Sequence, residues 1–172
     1  PIPLAESASW DIKAIERSAR LAAREASAAG LNWTFAPMVD ISRDSRWGRV
    51  MEGAGEDPFL ASMVASARVR GFQGTDLSDS NTILACAKHF AGYGYVEAGR
   101  DYTPTEISLN TLYNVVLPPF KAAADSGVGT FMNSFHDLNG IPSTSDTFLP
   151  HDILKGLWTF KGFCVSGWRS IT

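Results

Sequence analysis

The feature that most constrains the fold of this chain is an alternation of short apolar runs with longer helical patterns. Four runs have the length and apolar content of buried strands, and they lie at residues 33–36, 83–87, 128–132 and 162–165. Successive runs begin roughly 35 to 50 residues apart, which leaves space for a helix and its loops between each pair. Strands that alternate with helices in this way pair in parallel through right-handed crossovers. The sequence therefore predicts an α/β fold with a parallel sheet.

Helical patterns with start and stop signals occupy the intervening segments. Small and apolar residues recur on one stripe after Ser9, and Gly30 follows them as a stop signal. Asp57-Pro58 combines an N-cap acid with a first-turn proline and predicts the start of another helix. A third pattern begins at Ser108 and is interrupted at Pro118-Pro119. The first stripe consists of Ile12, Ile15, Ala19, Ala22, Ala23 and Ala26. We expect helices at residues 9–29, 57–72, from 108 onward, and 148–158.

Length and composition indicate one globular domain over residues 1–172. The hydrophobic content of 45% is enough for a core, and no low-complexity linker divides the chain. The net charge of −3, with scattered basic residues, does not favour nucleic acid as a partner. No apolar run approaches the roughly 20 residues that a bilayer span needs, so no membrane association is expected.

Cysteine and histidine usage gives no sign of a metal site or a cofactor. Cys86 and Cys164 both lie in apolar runs, which is typical of free cysteines that pack as small hydrophobic residues. A disulfide between them would need their Cα atoms within about 7 Å. The three histidines show no ligand spacing, and two cysteines alone cannot complete a metal site.

Chemically capable side chains follow each predicted strand at its carboxyl end. A polar segment at residues 40–49 follows the first run, and Lys88-His89 follows the second. Residues 132–135 end the third run, and Gly167-Trp168 follows the fourth. The carboxyl ends of parallel strands meet at one edge of a sheet or barrel. We therefore expect these four groups to border a single site.

Four motifs in this order resemble glycoside hydrolase family 3, the β-glucosidase-like enzymes. They lie at residues 43–49, 86–90, 132–135 running on to Asn139-Gly140, and 163–168, where the last matches the family's Val-Ser-Asp-Trp segment. Four strands alone fit either an open sheet or part of an eight-stranded barrel, which typically takes about 250 residues. The resemblance covers nearly the whole chain and implies part of an N-terminal (β/α)8 TIM barrel. The remainder of that barrel and a C-terminal α/β domain are then the expected partners in a full-length protein.

The resemblance also implies roles for residues at the strand ends. Arg49, Lys88 and His89 would contact hydroxyls of the sugar that undergoes cleavage, because a pyranose needs strong and oriented donors and acceptors. Trp168 would form an apolar platform against one face of the sugar ring.

Further candidates lie beside these residues, each with a structural alternative. Met132 and Phe135 match positions that flank the sugar pocket in relatives, where the second is often tyrosine, but both could simply pack in the core. Asp101 could organise the pocket edge or form an ordinary loop ion pair. Arg46 could face the pocket as Arg49 does. For either arginine the alternative is an ion pair with Asp44, Glu52 or Glu56.

Gly167 stands where the family has its nucleophile, an aspartate that attacks the anomeric carbon. Retaining glycosidases need two carboxyl groups about 5 Å apart, one as nucleophile and one for proton transfer. In β-glucosidase-like members the second comes from the C-terminal domain. A branch that acts on N-acetylglucosaminides instead has a proton-transfer histidine in the loop after Lys88-His89, but residues 91–102 contain no histidine. The chain as given is therefore expected to be catalytically incompetent.

Two functions of different classes stay open at this point. One is hydrolysis of terminal non-reducing β-D-glucosyl or β-xylosyl residues by the family's retaining mechanism, with a β-glucoside or oligosaccharide as substrate and a periplasmic or secreted parent protein. The other is a non-catalytic carbohydrate-binding or structural relative. A nucleotide-binding open sheet is disfavoured because no Gly-x-Gly-x-x-Gly follows a strand.

Overall fold

The sheet consists of parallel strands that follow one another in chain order. The computed structural model describes residues 1–171. Strands β1 (Cys86–Phe90) and β2 (Thr130–Asn133) pair in parallel, and β2 pairs in parallel with β5 (Phe163–Val165). Each of these strands begins within three residues of the start of a predicted apolar run. Sequential parallel order with helical crossovers is the arrangement that part of a (β/α)8 barrel would show.

The first predicted strand is an extended segment beside β1 and not a regular strand. Trp33 forms a parallel bridge with Leu84, and Met38 forms one with Lys88. Pro37 lies between the two bridges and has no N–H to donate, so it interrupts the ladder. The segment still adds a fourth member to the parallel arrangement on the β1 side.

Helices flank the sheet, and two of them begin at acidic caps. Asp11 accepts a hydrogen bond from the backbone N–H of Ala14 at 2.9 Å, so the first long helix begins three residues later than expected. Asp57 accepts one from Leu60 N at 2.6 Å, where the sequence predicts a start. The sequence analysis did not predict the short helix at Pro3–Ala8. The α-helical segments are α1 (Pro3–Ala8), α2 (Ile12–Ala28), α3 (Pro58–Gln73), α4 (Leu109–Thr111) and α5 (Leu117–Asp125).

The prolines at 118 and 119 modify a helix that continues past them. Between α4 and α5 the chain forms a π-helical turn, Leu112–Val116, in which the N–H of Leu117 donates to the carbonyl of Leu112. Prolines fit the first turn of α5 because that turn needs no donation from them. The segment expected as a helix at 148–158 is also π-helical, over Phe148–Leu157.

A hairpin that the sequence analysis did not predict follows β2. Its strands, β3 (Asp137–Leu138) and β4 (Ile141–Pro142), are antiparallel. Asn139 and Gly140 join them with φ values of 51° and 80°, the left-handed conformation that a two-residue hairpin turn requires.

The main core lies between the sheet and the helices. The rings of Phe90, Phe120 and Phe131 are buried and contact one another edge-on or tilted, with Phe90 and Phe120 centroids 5.2 Å apart. Cys86 is buried and Cys164 half-buried, and both are free thiols. Over residues 1–171, none of the helices combines the length and apolar content of a membrane span.

Candidate functional site

A cavity of about 440 Å³ opens at the carboxyl ends of the parallel strands. Seven of the nine residues predicted for the site line it. These seven are Arg49, Lys88, His89, Met132, Phe135, Gly167 and Trp168. The cavity is therefore the point where side chains from separate strand ends meet.

The register of the sheet explains why distant residues meet there. Lys88 on β1 is paired with Met132 on β2, and Met132 is paired with Val165 on β5. Gly167 follows two residues after that last partner. The pairing shifts register between Lys88 and Phe90, an irregularity of the kind that turns a side chain toward a site.

The carboxylate of Glu52, behind the cavity lining, lies close to two cationic side chains, Arg49 and Lys88. Glu52 forms a bidentate pair with Arg49, with Nε to Oε1 at 2.6 Å and Nη2 to Oε2 at 2.9 Å. The same Oε2 is 3.7 Å from Nζ of Lys88. The hydrogen bond from Arg49 lowers the pKa of Glu52, and burial lowers the pKa of Lys88. Arg49 thus forms the ion pair offered as its structural alternative and also lines the cavity.

His89 is oriented by a buried aspartate that the sequence analysis did not select. Asp40 Oδ2 lies 2.9 Å from both the backbone N and Nδ1 of His89, and both side chains are almost fully buried. A carboxylate only accepts hydrogen bonds, so the proton lies on Nδ1 and Nε2 is left as an acceptor. Burial lowers the pKa of His89 in spite of the hydrogen bond that the ring donates to Asp40, and the ring is therefore neutral near pH 7.

Aromatic rings form one side of the cavity. The ring centroid of Phe135 is 4.7 Å from that of Tyr93, 4.9 Å from that of Tyr102 and 5.4 Å from that of His89. Phe135 also lies over Gly167, since a Cβ atom added there would be 2.5 Å from Cδ1 of Phe135. Any side chain at position 167 therefore requires the Phe135 ring to move.

The two remaining predicted residues lie outside the cavity lining. Arg46 is exposed to solvent and forms an ion pair with Asp44 at 2.6 Å. This is the ion pair that the sequence analysis gave as the alternative to a role in the pocket. Asp101 accepts a hydrogen bond from Trp47 Nε1 at 2.8 Å and so holds a buried ring of the adjoining cluster. The structure gives neither of them contact with the cavity.

Four residues that line this cavity were not predicted from the sequence. A second, larger cavity is lined by none of the predicted site residues. The unpredicted lining residues are Phe35, Tyr102, Ser166 and Arg169. Phe35 lies within the first apolar run and Arg169 follows Trp168, so proximity to the motifs was the available signal. The larger cavity, of about 610 Å³, lies along residues 41–43 and 106–108. Within residues 1–171 no three His, Cys, Asp or Glu side chains are close enough to hold a metal ion.

Comparison with known proteins gives relatives over the full length of the chain. The family model described as "Glycosyl hydrolase family 3 N terminal domain" matches residues 1–172. A periplasmic β-glucosidase of Salmonella typhimurium is 44% identical over 96% of this chain and 22% of the relative. A β-xylosidase of Formosa agariphila is 39% identical over 96% of this chain and 24% of the relative.

Solved structures give the same result. The β-glucosidase of Listeria innocua in complex with glucose is 42% identical, with a TM-score of 0.96 over 99% of this chain and 24% of that one. The chain thus spans about a quarter of the length of the relatives it matches. The match over all its residues, together with the parallel strands in sequential order, shows that the chain belongs to glycoside hydrolase family 3, as part of the N-terminal TIM-barrel domain.

Proposed function

We propose that residues 1–172 are a segment of an exo-acting β-glycosidase that removes terminal non-reducing β-D-glucosyl or β-xylosyl residues. The observation that carries this proposal is the meeting of seven predicted residues from separate strand ends around one cavity of about 440 Å³. Such a volume is typical of small-molecule sites. Relatives named β-glucosidase and β-xylosidase support the choice of sugars.

The geometry suits recognition of a neutral sugar with several hydroxyls. Arg49 and Lys88 offer oriented N–H donors, and Glu52 restricts the guanidinium through two hydrogen bonds. His89 offers an Nε2 acceptor whose tautomer Asp40 sets. Trp168 is 75% exposed beside these polar groups and presents an indole face for stacking against a pyranose.

We propose that the chain as given does not catalyse the reaction. Gly167 has no carboxylate, and no lining residue that the structure describes is Asp or Glu. Loss of a covalent nucleophile removes orders of magnitude of rate while binding contacts remain. The proton-transfer carboxylate would come from the C-terminal α/β domain of the parent protein, since the chain covers 22% of its periplasmic relative.

In this proposal the full-length parent contains the rest of the barrel and the C-terminal domain, and its substrate is a β-glucoside or oligosaccharide. The relative from Salmonella is named as periplasmic, which supports a periplasmic or secreted location for the parent.

A second candidate is a carbohydrate-binding protein without catalysis. The Phe135 ring over Gly167 favours it, because the space that a nucleophile would need is filled by a side chain packed against three other rings.

The two candidates are separated by restoring the nucleophile in the full-length protein. We expect Gly167→Asp to hydrolyse an aryl β-glucoside at least about a hundredfold faster than the unchanged protein, because a carboxylate can form the covalent intermediate. Gly167→Asn is the matched control, with nearly the same shape and no nucleophile. If Asp and Asn give equal rates and both proteins still bind glucose, the non-catalytic candidate is correct.

A further inference from the structure

Tyr93 lies behind the cavity wall and contacts three of the residues that line it. Its side chain is fully buried. Its ring centroid is 4.7 Å from that of Phe135 and 5.0 Å from that of His89, and Cζ of Arg49 lies 5.5 Å from it. Tyr93 is not among the described residues that line the cavity. A sugar in the cavity would therefore contact side chains that rest on Tyr93, and not Tyr93 itself.

The ion pair with Glu52 restrains the guanidinium of Arg49 along one edge. Glu52 accepts hydrogen bonds from Nε and Nη2 of Arg49 at 2.6 and 2.9 Å. The side chain of Glu52 is partly exposed, so the two groups can swing together without breaking their pair. The ring of Tyr93 lies under the guanidinium, at a distance where the ring face attracts a cation. Tyr93 therefore supplies a second restraint, from inside the protein.

The hydroxyl of Tyr93 is buried near two charged groups. It has no partner in hydrogen-bond geometry within residues 1–171, and a buried polar group in that condition calls for an explanation. Burial raises the pKa of Tyr93, Asp101 adds to the increase and Arg49 opposes it. Asp101 also accepts a hydrogen bond from Nε1 of Trp47 at 2.8 Å, and the Trp47 ring centroid is 5.1 Å from that of Tyr93. The hydroxyl thus lies within reach of a fixed carboxylate and of the guanidinium.

We propose that Tyr93 is a positioning residue of the sugar site, whose hydroxyl transmits the fixed position of Asp101 to the guanidinium of Arg49. A carboxylate only accepts hydrogen bonds and a guanidinium only donates them, so in this role the hydroxyl donates to Asp101 and accepts from Arg49. Hydrogen bonds of this kind often tighten only when the ligand is bound. This inference rests on the proposed function, since it assumes that Arg49 contacts a sugar hydroxyl.

The test is calorimetric titration of the full-length protein with D-glucose. Tyr93→Phe keeps the buried ring and should weaken glucose binding about fivefold, which corresponds to ~1 kcal/mol. The free energy of unfolding in urea should not fall, because the hydroxyl that is removed has no partner in hydrogen-bond geometry within residues 1–171. Asp101→Asn should also weaken binding, and the double variant should bind about as well as the weaker of the two single variants.

Tyr95→Phe is the matched control for Tyr93→Phe. It removes a hydroxyl from a partly buried tyrosine two residues further along the chain, which lines the larger cavity. Its affinity for glucose should equal that of the unchanged protein.

Monodeoxy derivatives of D-glucose separate positioning from a general structural role. If Tyr93 acts through Arg49, the substitution costs affinity only for sugars that carry the hydroxyl that Arg49 contacts. At least one derivative, the one that lacks this hydroxyl, should then bind to the unchanged protein and to Tyr93→Phe with nearly equal affinity. A cavity that is merely loosened would bind every derivative more weakly.

Each outcome decides a different point. Equal affinity of the unchanged protein and Tyr93→Phe for glucose would overturn this inference and leave the proposed function standing. A uniform loss over glucose and all its derivatives, or a parallel fall in the free energy of unfolding, would assign Tyr93 a purely structural role and overturn the inference. Absence of glucose binding by the unchanged protein would overturn the inference and the proposed function together.

Discussion

His136 should make the domain lose stability as pH falls toward 5. Its side chain is buried, its Nδ1 lies 3.5 Å from Ser143 Oγ, and its Nε2 has no hydrogen-bond partner within residues 1–171. The ring packs 5.6 Å from that of Tyr93, which adjoins the cavity. Burial lowers the pKa of His136 from 6.5 to about 4, and the nearby charges of Asp40 and Asp137 only partly oppose this. The native state therefore stays unprotonated where the unfolded state takes up a proton.

The sign and size of the effect follow from proton linkage. Because the unfolded chain binds the extra proton, stability from this group is fully present above about pH 6.5 and falls as pH decreases toward about 4. Between about pH 7.5 and pH 5 the loss is about 2 kcal/mol. His89 acts in the same direction, since its pKa is also lowered by burial. Carboxylates whose pKa values are depressed contribute only at lower pH.

Urea unfolding of the domain that contains this segment, followed at about pH 7.5 and about pH 5, measures the loss. We expect His136→Phe, which keeps an aromatic ring and removes the titration, to show a pH dependence smaller than that of the parent by about 2 kcal/mol. His151→Gln is the control, because that histidine side chain is 82% exposed and its removal should leave the slope unchanged. Equal slopes for the parent and His136→Phe would refute the reasoning.

Three further changes test the packing and the site. Gly71→Ala should lower the free energy of unfolding in urea by about 1–3 kcal/mol, because the added Cβ would lie 2.5 Å from a side chain of α2. Gly48→Ala is the control: its added Cβ would have no atom within 4 Å, so the free energy of unfolding should change little. Gly167→Ala should destabilise more with Phe135 present than with Phe135→Ala, and additive effects in this double-mutant cycle would show that the ring does not fill the space. Asp40→Asn should weaken glucose binding several-fold in calorimetry, because the charge-assisted hydrogen bond between the carboxylate and the His89 imidazole becomes a neutral one. The circular dichroism spectrum should stay unchanged. An unchanged affinity for glucose would contradict this prediction.

The strand positions could be predicted because buried parallel strands leave a local signal in the sequence. Runs of apolar residues at the observed spacing can be read without knowing their partners. The first strand shows where this signal fails, since Pro37 lies in an apolar context but removes a ladder hydrogen bond. The β3–β4 hairpin was missed because its strands have two residues each, too few for periodicity, although Asn139-Gly140 is a hairpin signal.

Some of the site residues could likewise be predicted from a local pattern, whereas others depend on how the loops fold. Lys88 and Met132 follow directly from the positions of their strands, because the register places them side by side. Asp40 and Tyr102 reach their places through loops, and no periodic pattern relates Asp40 to His89, 49 residues away in the sequence. Contacts of that kind depend on how the loops fold over the sheet.

The side chains that would hold a sugar do not depend on residue 167 for their positions. Arg49 is fixed by Glu52, His89 by Asp40, and Met132 by its strand register. None of these contacts involves the side chain that Gly167 lacks. The positions of Arg49, His89 and Met132 are therefore independent of a side chain at 167, whereas the Phe135 ring would have to move to admit one. In the proposed function, this independence is the physical reason that binding and catalysis can be tested separately.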